Sequence, residues 1–528
     1  MMEMTLMELT ILETSDLHGY LFSTNYQKRN MDEPFGILKA ASIFKEERLN
    51  AKGPVLAVEN GDYIQGSPLS YYLAKQRQDP SELIQALNEM HYDVGVIGNH
   101  SLNYGLEYLK KAVSASQFPV LSANILNEEG KSVFGQGYQI IEKEGIKIGF
   151  LGLTTQYIPH WEHPDNYAGL HFQSAVECAK EIVPKLRAEA DVIVVSYHGS
   201  FERDLKTGEP TELLTGENEG YRLLYEVEGI DVLLTGHHHR KIAEVVNGVA
   251  IVQPGDKGSF VGKVVVEFER TDSKLKVSSV KPTLISVEGK KSEKALTQKF
   301  QALHDEVEKW LDEPLGTVSG NMEIKDAHMV RLKEHPYIEL IHKVQMEATG
   351  AAISGTSLLT DTGKGFQQTI TMRDIVTNYI YPNTLAVLAL TGAELKAAIE
   401  KAASYFALES DGSIGLNWAY VHPKPQYYNY DMYEGIDYTI DVSKPIGERI
   451  VRFEKDGRLI QDDEQLEVVT NQYRAIGGGD YTMFDASKII REVTKDMSEL
   501  IADYIKKHSI IDATVNNNFL IVNGEEIQ

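Results

Sequence analysis

The residues best suited to chemistry in this sequence are Asp, Asn and His side chains that stand beside glycine after short apolar runs. Five such motifs occur in the first half of the chain: Asp16-Leu17-His18-Gly19, Gly61-Asp62, Gly98-Asn99-His100, His198-Gly199 and Gly236-His237-His238-His239. Ligands of open α/β sheets bind at the carboxyl ends of the strands. We therefore expect the five loops to meet at one site.

These side chains are typical of a metal centre without thiolates. Imidazole and carboxylate ligands suit divalent ions such as Zn, Mn, Fe or Co. Six or more ligands are too many for one tetrahedral ion, so we predict two cations that share a bridging carboxylate. Two cations roughly 3.5–4 Å apart stabilise the attacking and leaving oxygens of a phosphoryl displacement. Each motif alone is more often a turn or a helix cap, so the prediction depends on all five together.

The motifs require strands that end where each motif begins. Seven apolar runs predict buried strands, at residues 9–12, 55–58, 94–97, 148–153, 192–196, 232–234 and 250–252. Stretches with helical periodicity lie between them, at residues 81–90, 106–115 and 174–189. Strands that alternate with helices indicate a layered α/β domain.

The second half of the chain has the pattern of a separate domain. Residues 292–310 are polar and favour a helical connector, and a helix at 392–404 and strands at 438–442, 450–454 and 467–470 follow. A single core stops growing near ~250–300 residues. We predict a first domain over residues 1–290, a helical linker or hinge over 291–325 and a second domain over 326–528.

Composition limits the partners and the location. Among 528 residues, 77 are acidic and 52 are Lys or Arg, a net charge of −25 that disfavours a polynucleotide partner. The single cysteine, Cys178, excludes a disulfide framework. No apolar run approaches the ~20 residues that span a bilayer, so no membrane partner is expected, and nothing indicates an obligate protein partner. The first eight residues lack the pattern of a secretory signal, so we expect a cytoplasmic protein; the alternative is a secreted protein with its signal removed.

The five motifs, in this order, resemble the signature of the calcineurin-like metallophosphoesterases. Three segments of the second half, at residues 381–385, 390–395 and 471–480, resemble the 5′-nucleotidase C-terminal domain. The resemblance implies an α/β protein with an N-terminal four-layered αββα sandwich and a C-terminal α+β substrate-binding domain. It also implies hydrolysis of nucleotide phosphoesters, in which a water molecule activated by two divalent cations attacks phosphorus.

The resemblance also implies roles for individual residues. One cation would be held by Asp16, His18 and His239, the other by Asn99, His198 and His237, with Asp62 as the bridge. His100 would stabilise the transition state or protonate the leaving oxygen, with Asn99 beside it in the catalytic group. An imidazole suits this role because its unperturbed pKa lies near neutrality. His238 is expected to be exposed to solvent.

The second domain is expected to bind the nucleoside. The resemblance implies that two aromatic rings sandwich the base, and Tyr473 matches one of them. Tyr430 is favoured for the other among the tyrosines of residues 427–433. Stacking contributes about 1–3 kcal/mol per base. Asp480 is expected to contact a ribose hydroxyl or a base edge, and Asn103 is assigned to substrate binding. For any one tyrosine, buried packing is the alternative.

The substrate subclass depends on departures from the 5′-nucleotidase pattern. Residues 351–363 contain no Arg, and Ser101 stands where an acid is common, which would weaken the support of His100. Segments 22–26, 103–105, 381–384 and 428–431 resemble the 2′,3′-cyclic-nucleotide 2′-phosphodiesterase/3′-nucleotidase branch. We therefore favour cyclic nucleotides as substrates. The alternatives are a 5′-nucleotidase or nucleotide-sugar hydrolase on the same scaffold, and a nucleotide-binding protein without turnover.

Overall fold

The chain divides into two units, with the boundary between Val307 and Glu308. The computed structural model describes residues 7–271, 274–422 and 424–524. The boundary lies inside a helix, Lys294–Leu311, that occupies the first half of the predicted linker. The second half of that linker is not helical, because Pro314–Ser319 forms a strand that pairs with other strands of unit 2.

Unit 1 contains two sheets and the helices that cover them. Its strands are β1 (Met7–Thr14), β2 (Val55–Glu59), β3 (Val94–Val96), β4 (Val120–Leu126), β5 (Ser132–Phe134), β6 (Tyr138–Lys143), β7 (Ile146–Thr154), β8 (His171–Phe172), β9 (Val192–His198), β10 (Val232–Thr235), β11 (Lys241–Val246), β12 (Val249–Pro254), β13 (Phe260–Thr271) and β14 (Lys274–Ser286). Its helices are α1 (Ile37–Asn50), α2 (Pro68–Tyr72), α3 (Ser81–Glu89), α4 (Leu106–Ala115), α5 (Ala175–Glu189), α6 (Gly220–Glu226) and most of α7 (Lys294–Leu311).

The two sheets pack face to face. Sheet A has the order β14-β13-β1-β2-β3-β4-β5, with β8 beside β4, and sheet B has the order β11-β12-β10-β9-β7-β6. Ile11 and Val58 of sheet A share one buried cluster with Phe150 and Val194 of sheet B. A second cluster joins the outer face of sheet B to α5 and α6. Since β1 to β4 are parallel, their crossover helices α1, α3 and α4 cover the outer face of sheet A, and the predicted αββα order is confirmed.

The strands of unit 1 explain where the motifs lie. All seven predicted strands and all three predicted helices are present, with bounds shifted by no more than two residues. The central strands are parallel and buried on both faces, which is why they read as continuous apolar runs. The five motifs follow β1, β2 and β3 in sheet A and β9 and β10 in sheet B, or include the last strand residue.

Unit 2 is an α+β arrangement of smaller sheets. Its strands are β15 (Pro314–Ser319), β16 (Met322–Glu323), β17 (Ile353–Ser357), β18 (Gly365–Phe366), β19 (Thr369–Thr371), β20 (Leu385–Thr391), β21 (Phe406–Leu408), β22 (Ile414–Leu416), β23 (Asp431–Glu434), β24 (Asp437–Asp441), β25 (Ile450–Lys455), β26 (Arg458–Leu459), β27 (Gln465–Asn471), β28 (Ile489–Val493), β29 (Ile510–Asp512) and β30 (Phe519–Val522). Its helices are α8 (Ala327–Leu332), α9 (Pro336–Thr349), α10 (Met372–Asn378), α11 (Gly392–Ala403), α12 (Gln472–Ala475) and α13 (Met497–His508).

The largest sheet of unit 2 has the order β23-β17-β27-β20-β28, and helix α9 packs against β17. A second sheet has the order β26-β25-β24-β30. Among the described residues, no helix combines the length and apolar character needed to cross a membrane.

Candidate metal centre

The turns after the strands direct the predicted ligands toward one point. Five of these ligands lie in the left-handed region of the backbone, with φ between 48° and 70°: Asp16, His18, Asp62, His237 and His239. Non-glycine residues adopt this conformation rarely, and such strain clusters at functional sites. Hydrogen bonds hold the strained turns together, because the Asp16 amide donates to Gly61 O at 3.0 Å and the His18 amide donates to Asp62 O at 2.7 Å.

Glycine is required where these loops approach one another. A Cβ on Gly98 would lie 2.2 Å from Asp62 Oδ1, and a Cβ on Gly236 would lie 2.2 Å from Ser15 Oγ. Real Cβ atoms do not approach other atoms this closely. The glycine in each of these two motifs therefore allows one loop to pass directly over another, Gly98 over Asp62 and Gly236 over Ser15 and the neighbouring Asp16.

Asp16, His18 and His239 form a group that we call half-site A. His239 Nε2 lies 3.1 Å from His18 Nε2 and 3.4 Å from Asp16 Oδ1. Asp16 is completely buried, whereas the His239 side chain is 37% exposed. Half-site A therefore has one open side.

Asn99, His198 and His237 form half-site B. Asn99 Oδ1 lies 2.9 Å from His237 Nδ1 and 3.2 Å from His198 Nε2. All three residues are buried, and His198 is completely inaccessible. Trp161 stacks on the His237 ring, with 5.4 Å between ring centroids, and covers that side chain.

Asp62 lies between the two half-sites. Its Oδ2 is 3.1 Å from His198 Nε2, and its Oδ1 accepts a hydrogen bond of 2.8 Å from the His100 amide. Asp16 Oδ1 is 3.9 Å from the same His198 nitrogen. Burial opposes ionisation of both aspartates, but the surrounding imidazoles outweigh it and hold the pKa of Asp16 and Asp62 well below its usual range. Two buried carboxylates among imidazoles are a donor set that fits divalent cations.

Hydrogen bonds at Nδ1 of two histidines leave on Nε2 the lone pair that a cation requires. His18 Nδ1 donates to Gln65 O at 2.9 Å, and His198 Nδ1 donates to Asn60 O at 2.6 Å. A carbonyl can only accept, so the lone pair of each neutral ring lies on Nε2, which faces the ligand cluster. This support of a ligating imidazole by a second partner is usual in metal sites. The residues present therefore fit metal ions.

The two rings differ in charge in metal-free protein. Burial and the neighbouring His239 lower the pKa of His18 to about 4. Burial also disfavours charge on His198, but Asp62 and Asp16 outweigh it and raise the pKa of His198 to about 9. A proton on His198 thus takes the place that a cation would fill.

His100 stands beside half-site A, with its ring 5.4 Å from that of His18 in an edge-to-face arrangement. Its Nδ1 lies 2.7 Å from Asn103 Oδ1, and Asn103 Nδ2 donates to Glu162 Oε2 at 2.6 Å. The amide assigned to substrate binding is thus engaged by the protein at both polar atoms. Ser101 hydrogen-bonds the Gly98 amide instead, so the expected loss of support for His100 at Ser101 is made up by Asn103.

Glu217 is a residue of the site that sequence reasoning missed. Its Oε1 lies 2.8 Å from His237 Nε2, and the neighbouring His237 and His238 hold the pKa of its carboxyl well below the usual range despite burial. Glu217 lies in a long loop before α6 that carries no motif. The expected exposure of His238 is wrong, because this residue is 6% exposed and bonds Asn218 Nδ2 at 2.9 Å.

The predicted nucleoside residues lie in unit 2 in different environments. Tyr473 is half-buried, and the side chain of Asp480 is 49% exposed. The assignment of Tyr430 to base stacking is wrong, because its side chain is completely buried between Tyr405 and Phe406, at 5.0 Å between centroids in both cases. Tyr427 and Tyr428, just before it, are both half-buried and are the accessible rings of this segment.

Arg474 joins the two aromatic segments of unit 2. It is completely buried and binds both oxygens of Asp431, from Nε at 2.7 Å and from Nη2 at 3.0 Å. The same guanidinium donates to Tyr428 O at 3.2 Å and to Gly478 O. It therefore ties the segment of Tyr428 to the loop that follows Tyr473.

Comparison with known proteins agrees with this architecture. The family model described as calcineurin-like phosphoesterase matches residues 9–241, and the one described as 5′-nucleotidase, C-terminal domain matches residues 314–486. A Staphylococcus aureus protein assigned as a 5′-nucleotidase, crystallised with alpha-ketoglutarate, is 36% identical with a TM-score of 0.91, over 98% of this chain and 100% of that chain.

Two curated relatives match at lower identity. The 2′,3′-cyclic-nucleotide 2′-phosphodiesterase/3′-nucleotidase of Yersinia enterocolitica is 28% identical over 97% of this chain and 88% of its own length. The trifunctional nucleotide phosphoesterase protein YfkN of Bacillus subtilis (strain 168) is 26% identical over 97% of this chain, which spans only 39% of that protein. The chain thus belongs to the calcineurin-like metallophosphoesterase and 5′-nucleotidase family, whose members are enzymes that hydrolyse nucleotide phosphoesters.

Proposed function

We propose that this enzyme uses two divalent cations to hydrolyse 2′,3′-cyclic nucleotides to 3′-nucleotides, and then 3′-nucleotides to nucleoside and phosphate. The observation that carries the proposal is the pair of half-sites joined by Asp62, with His100 beside them. Half-sites A and B offer three ligands each, and Asp62 would supply the bridging carboxylate that a two-metal centre requires.

When bound, the cations would polarise the phosphate oxygens and lower the pKa of a bound water molecule. The chain supplies the remaining chemistry at His100. Because Asn103 Oδ1 accepts from Nδ1, the protonated ring can give the proton at Nε2 to the leaving ribose oxygen and return to the neutral form with Nδ1–H. In the first reaction the leaving oxygen is the ribose 2′ oxygen, and in the second it is the 3′ oxygen.

In unit 2, Tyr473 and Tyr428 are the rings proposed to stack on the base. Both are accessible, and Arg474 ties their segments together. Replacing Tyr473 by Ala should remove about 1–3 kcal/mol of binding, a rise in KM of about 5- to 150-fold. Tyr430→Phe is the matched control, since its buried hydroxyl has no hydrogen-bond partner among the described residues, and it should leave KM unchanged.

A panel of nucleotide isomers tests the substrate class. Phosphate or nucleotide release should be measured with 2′,3′-cyclic AMP, 3′-AMP, 5′-AMP and a nucleotide sugar, alongside metal analysis of the protein. We expect the highest kcat/KM for the first two. The cyclic-nucleotide names of the curated relatives support this order.

A 5′-nucleotidase is the second candidate, favoured by the 36% identical Staphylococcus aureus protein. The absence of Arg from residues 351–363 is also weaker evidence than the sequence suggests. The buried guanidinium of Arg331 donates to Leu358 O at 3.3 Å and to Asp361 Oδ1 at 2.5 Å, so this segment has a cation beside it. Preference for 5′-AMP over the cyclic isomer would establish this second candidate.

A further inference from the structure

We propose that Glu162 is a positioning residue for the reaction, because it fixes the orientation of the Asn103 amide and thereby the tautomer of His100. The inference rests on the proposed role of His100 in proton transfer. It concerns a residue outside the five motifs, 59 positions from Asn103 along the chain.

Glu162 acts as an acceptor at both carboxyl oxygens. It is 8% exposed, and its Oε1 accepts from the His163 amide at 2.8 Å and from Asn166 Nδ2 at 2.7 Å. Its Oε2 accepts from Asn103 Nδ2 at 2.6 Å. All of these donors are N–H groups, so the carboxylate form satisfies them.

The orientation of Asn103 follows from this contact. A carboxylate cannot donate, so the amide must turn its NH2 group toward Glu162 and its Oδ1 toward His100. An amide oxygen cannot donate either, so His100 Nδ1, 2.7 Å away, must carry a hydrogen. The lone pair of the neutral ring then lies on Nε2, where the proposed reaction takes up and releases a proton.

The loop that carries Glu162 is held at the site by a second contact. Two short 3₁₀ turns, Ile158–His160 and Pro164–Tyr167, flank Trp161 and Glu162. Trp161 stacks on His237 of half-site B, while Glu162 reaches Asn103. One loop thus covers a metal ligand and sets the proton-transfer group.

The test exchanges donor and acceptor in the contact between Glu162 and Asn103 without changing the shape of either side chain. In Glu162→Gln, the side-chain oxygen still accepts from His163 and Asn166, but the NH2 group now donates toward Asn103. The Asn103 amide then turns over and presents its own NH2 to His100 Nδ1. We expect kcat to fall about 10²-fold, within the ~10²–10⁴-fold that a positioned proton-transfer group contributes, with KM and metal content unchanged.

The double variant Asn103→Asp/Glu162→Gln restores the pattern. The amide introduced by Glu162→Gln donates to one oxygen of the new carboxylate, and the other oxygen accepts from His100 Nδ1. We expect kcat to return to within about fivefold of the wild type, whereas Asn103→Asp alone places two carboxylates against each other and stays impaired. Such non-additivity is the signature of a direct contact.

Asn166→Ala is the matched control, because it removes a donor to Glu162 Oε1 and leaves the contact with Asn103. It should keep kcat within about twofold. If the kcat of Asn166→Ala falls as far as that of Glu162→Gln, Glu162 merely anchors the loop and the proposal is overturned. The proposal is also overturned if the double variant is no more active than Glu162→Gln.

A readout without turnover separates this inference from the proposed function. In zinc-loaded protein with ¹⁵N-labelled histidine, long-range ¹H–¹⁵N spectra report which nitrogen of His100 bears the hydrogen, and His100→Gln assigns the signal. We expect Nδ1–H in the wild type and a shift toward Nε2–H in Glu162→Gln. An unchanged tautomer overturns the inference, whereas inactivity of the wild type on every nucleotide overturns the proposed function alone.

Discussion

Half-sites A and B offer similar ligands in different surroundings. Half-site A has the fully buried Asp16 but ends in His239, whose side chain is 37% exposed. Half-site B has a neutral amide oxygen in place of that carboxylate, and all of its ligands are buried, with Trp161 and Glu217 against His237. Ligand type alone predicts tighter ion binding in half-site A, whereas burial predicts slower ion exchange in half-site B.

The largest effect is expected where the half-sites meet. Asp62→Asn should release both ions and lower kcat/KM by more than the ~10–100-fold typical of changes to a residue that supports a ligand, because the proposed bridging carboxylate would serve both half-sites. Metal analysis and phosphate release measure this. Glu59→Gln is the control: burial raises the pKa of Glu59 well above its usual range, so the neutral amide should be tolerated. Retention of both ions by Asp62→Asn would refute the bridge.

The next effect is a difference between the rates at which half-sites A and B lose their ions. Under a chelator, the protein should lose one ion per chain quickly and the second slowly, since only half-site A has an exposed ligand. Metal release followed with a chromogenic chelator checks this. His239→Ala should abolish the fast phase, and His198→Ala the slow one. A single phase in the wild type would contradict the comparison.

A smaller effect is expected from a residue that supports a ligand of half-site B. Glu217→Gln should weaken ion binding there about 10–100-fold, because the carboxylate supports the His237 ring. Excess metal should restore activity. Glu212→Gln is the matched control, since Glu212 approaches His238 at 3.6 Å, whereas Glu217 reaches His237 at 2.8 Å. Equal effects of the two variants would show that the loop, and not the contact, matters.

The smallest expected effect is the release of one proton when a metal ion binds. The pKa of His198 is raised to about 9, so metal-free protein is protonated there at about pH 7.5 and must release about one proton when half-site B fills. His18, with its pKa lowered to about 4, is already neutral, so half-site A releases none from this ring. Calorimetry in buffers of different ionisation enthalpy counts the protons. The count should fall by about one proton well above the pKa of His198 and in His198→Asn.

The same shift predicts the stability of the metal-free protein. Because the folded pKa of His198 exceeds the unfolded value, its stabilising contribution is complete below about pH 6.5 and is lost as the pH rises through about 9. The thermal midpoint of chelated protein should fall over that interval. Metal-loaded protein should show no such fall.

Prediction from the sequence succeeded where chemistry follows from local pattern. The apolar runs before Asp16, Asp62, Asn99 and His237 give strands because buried parallel strands are continuously apolar, and glycine marks the turns that follow. Those residues therefore meet at the strand ends. The prediction for Tyr430 was wrong because it rested on spacing along the chain, and spacing does not indicate which tyrosine faces inward. Tyr427–Asn429 forms a 3₁₀ turn just before the strand, and Tyr430 follows that turn.

The sequence by itself determined the fold class, the types of the candidate ligands and their convergence, since each depends on the hydrophobic period and on chemistry that a residue carries wherever it lies. Only the tertiary structure decided which atoms face one another. Glu217 and Glu162 join the site from loops without motifs, and the exposure that separates half-site A from B depends on what covers each. Contacts between residues far apart in the chain have no period and no local signal in the sequence, so only the folded structure reveals them.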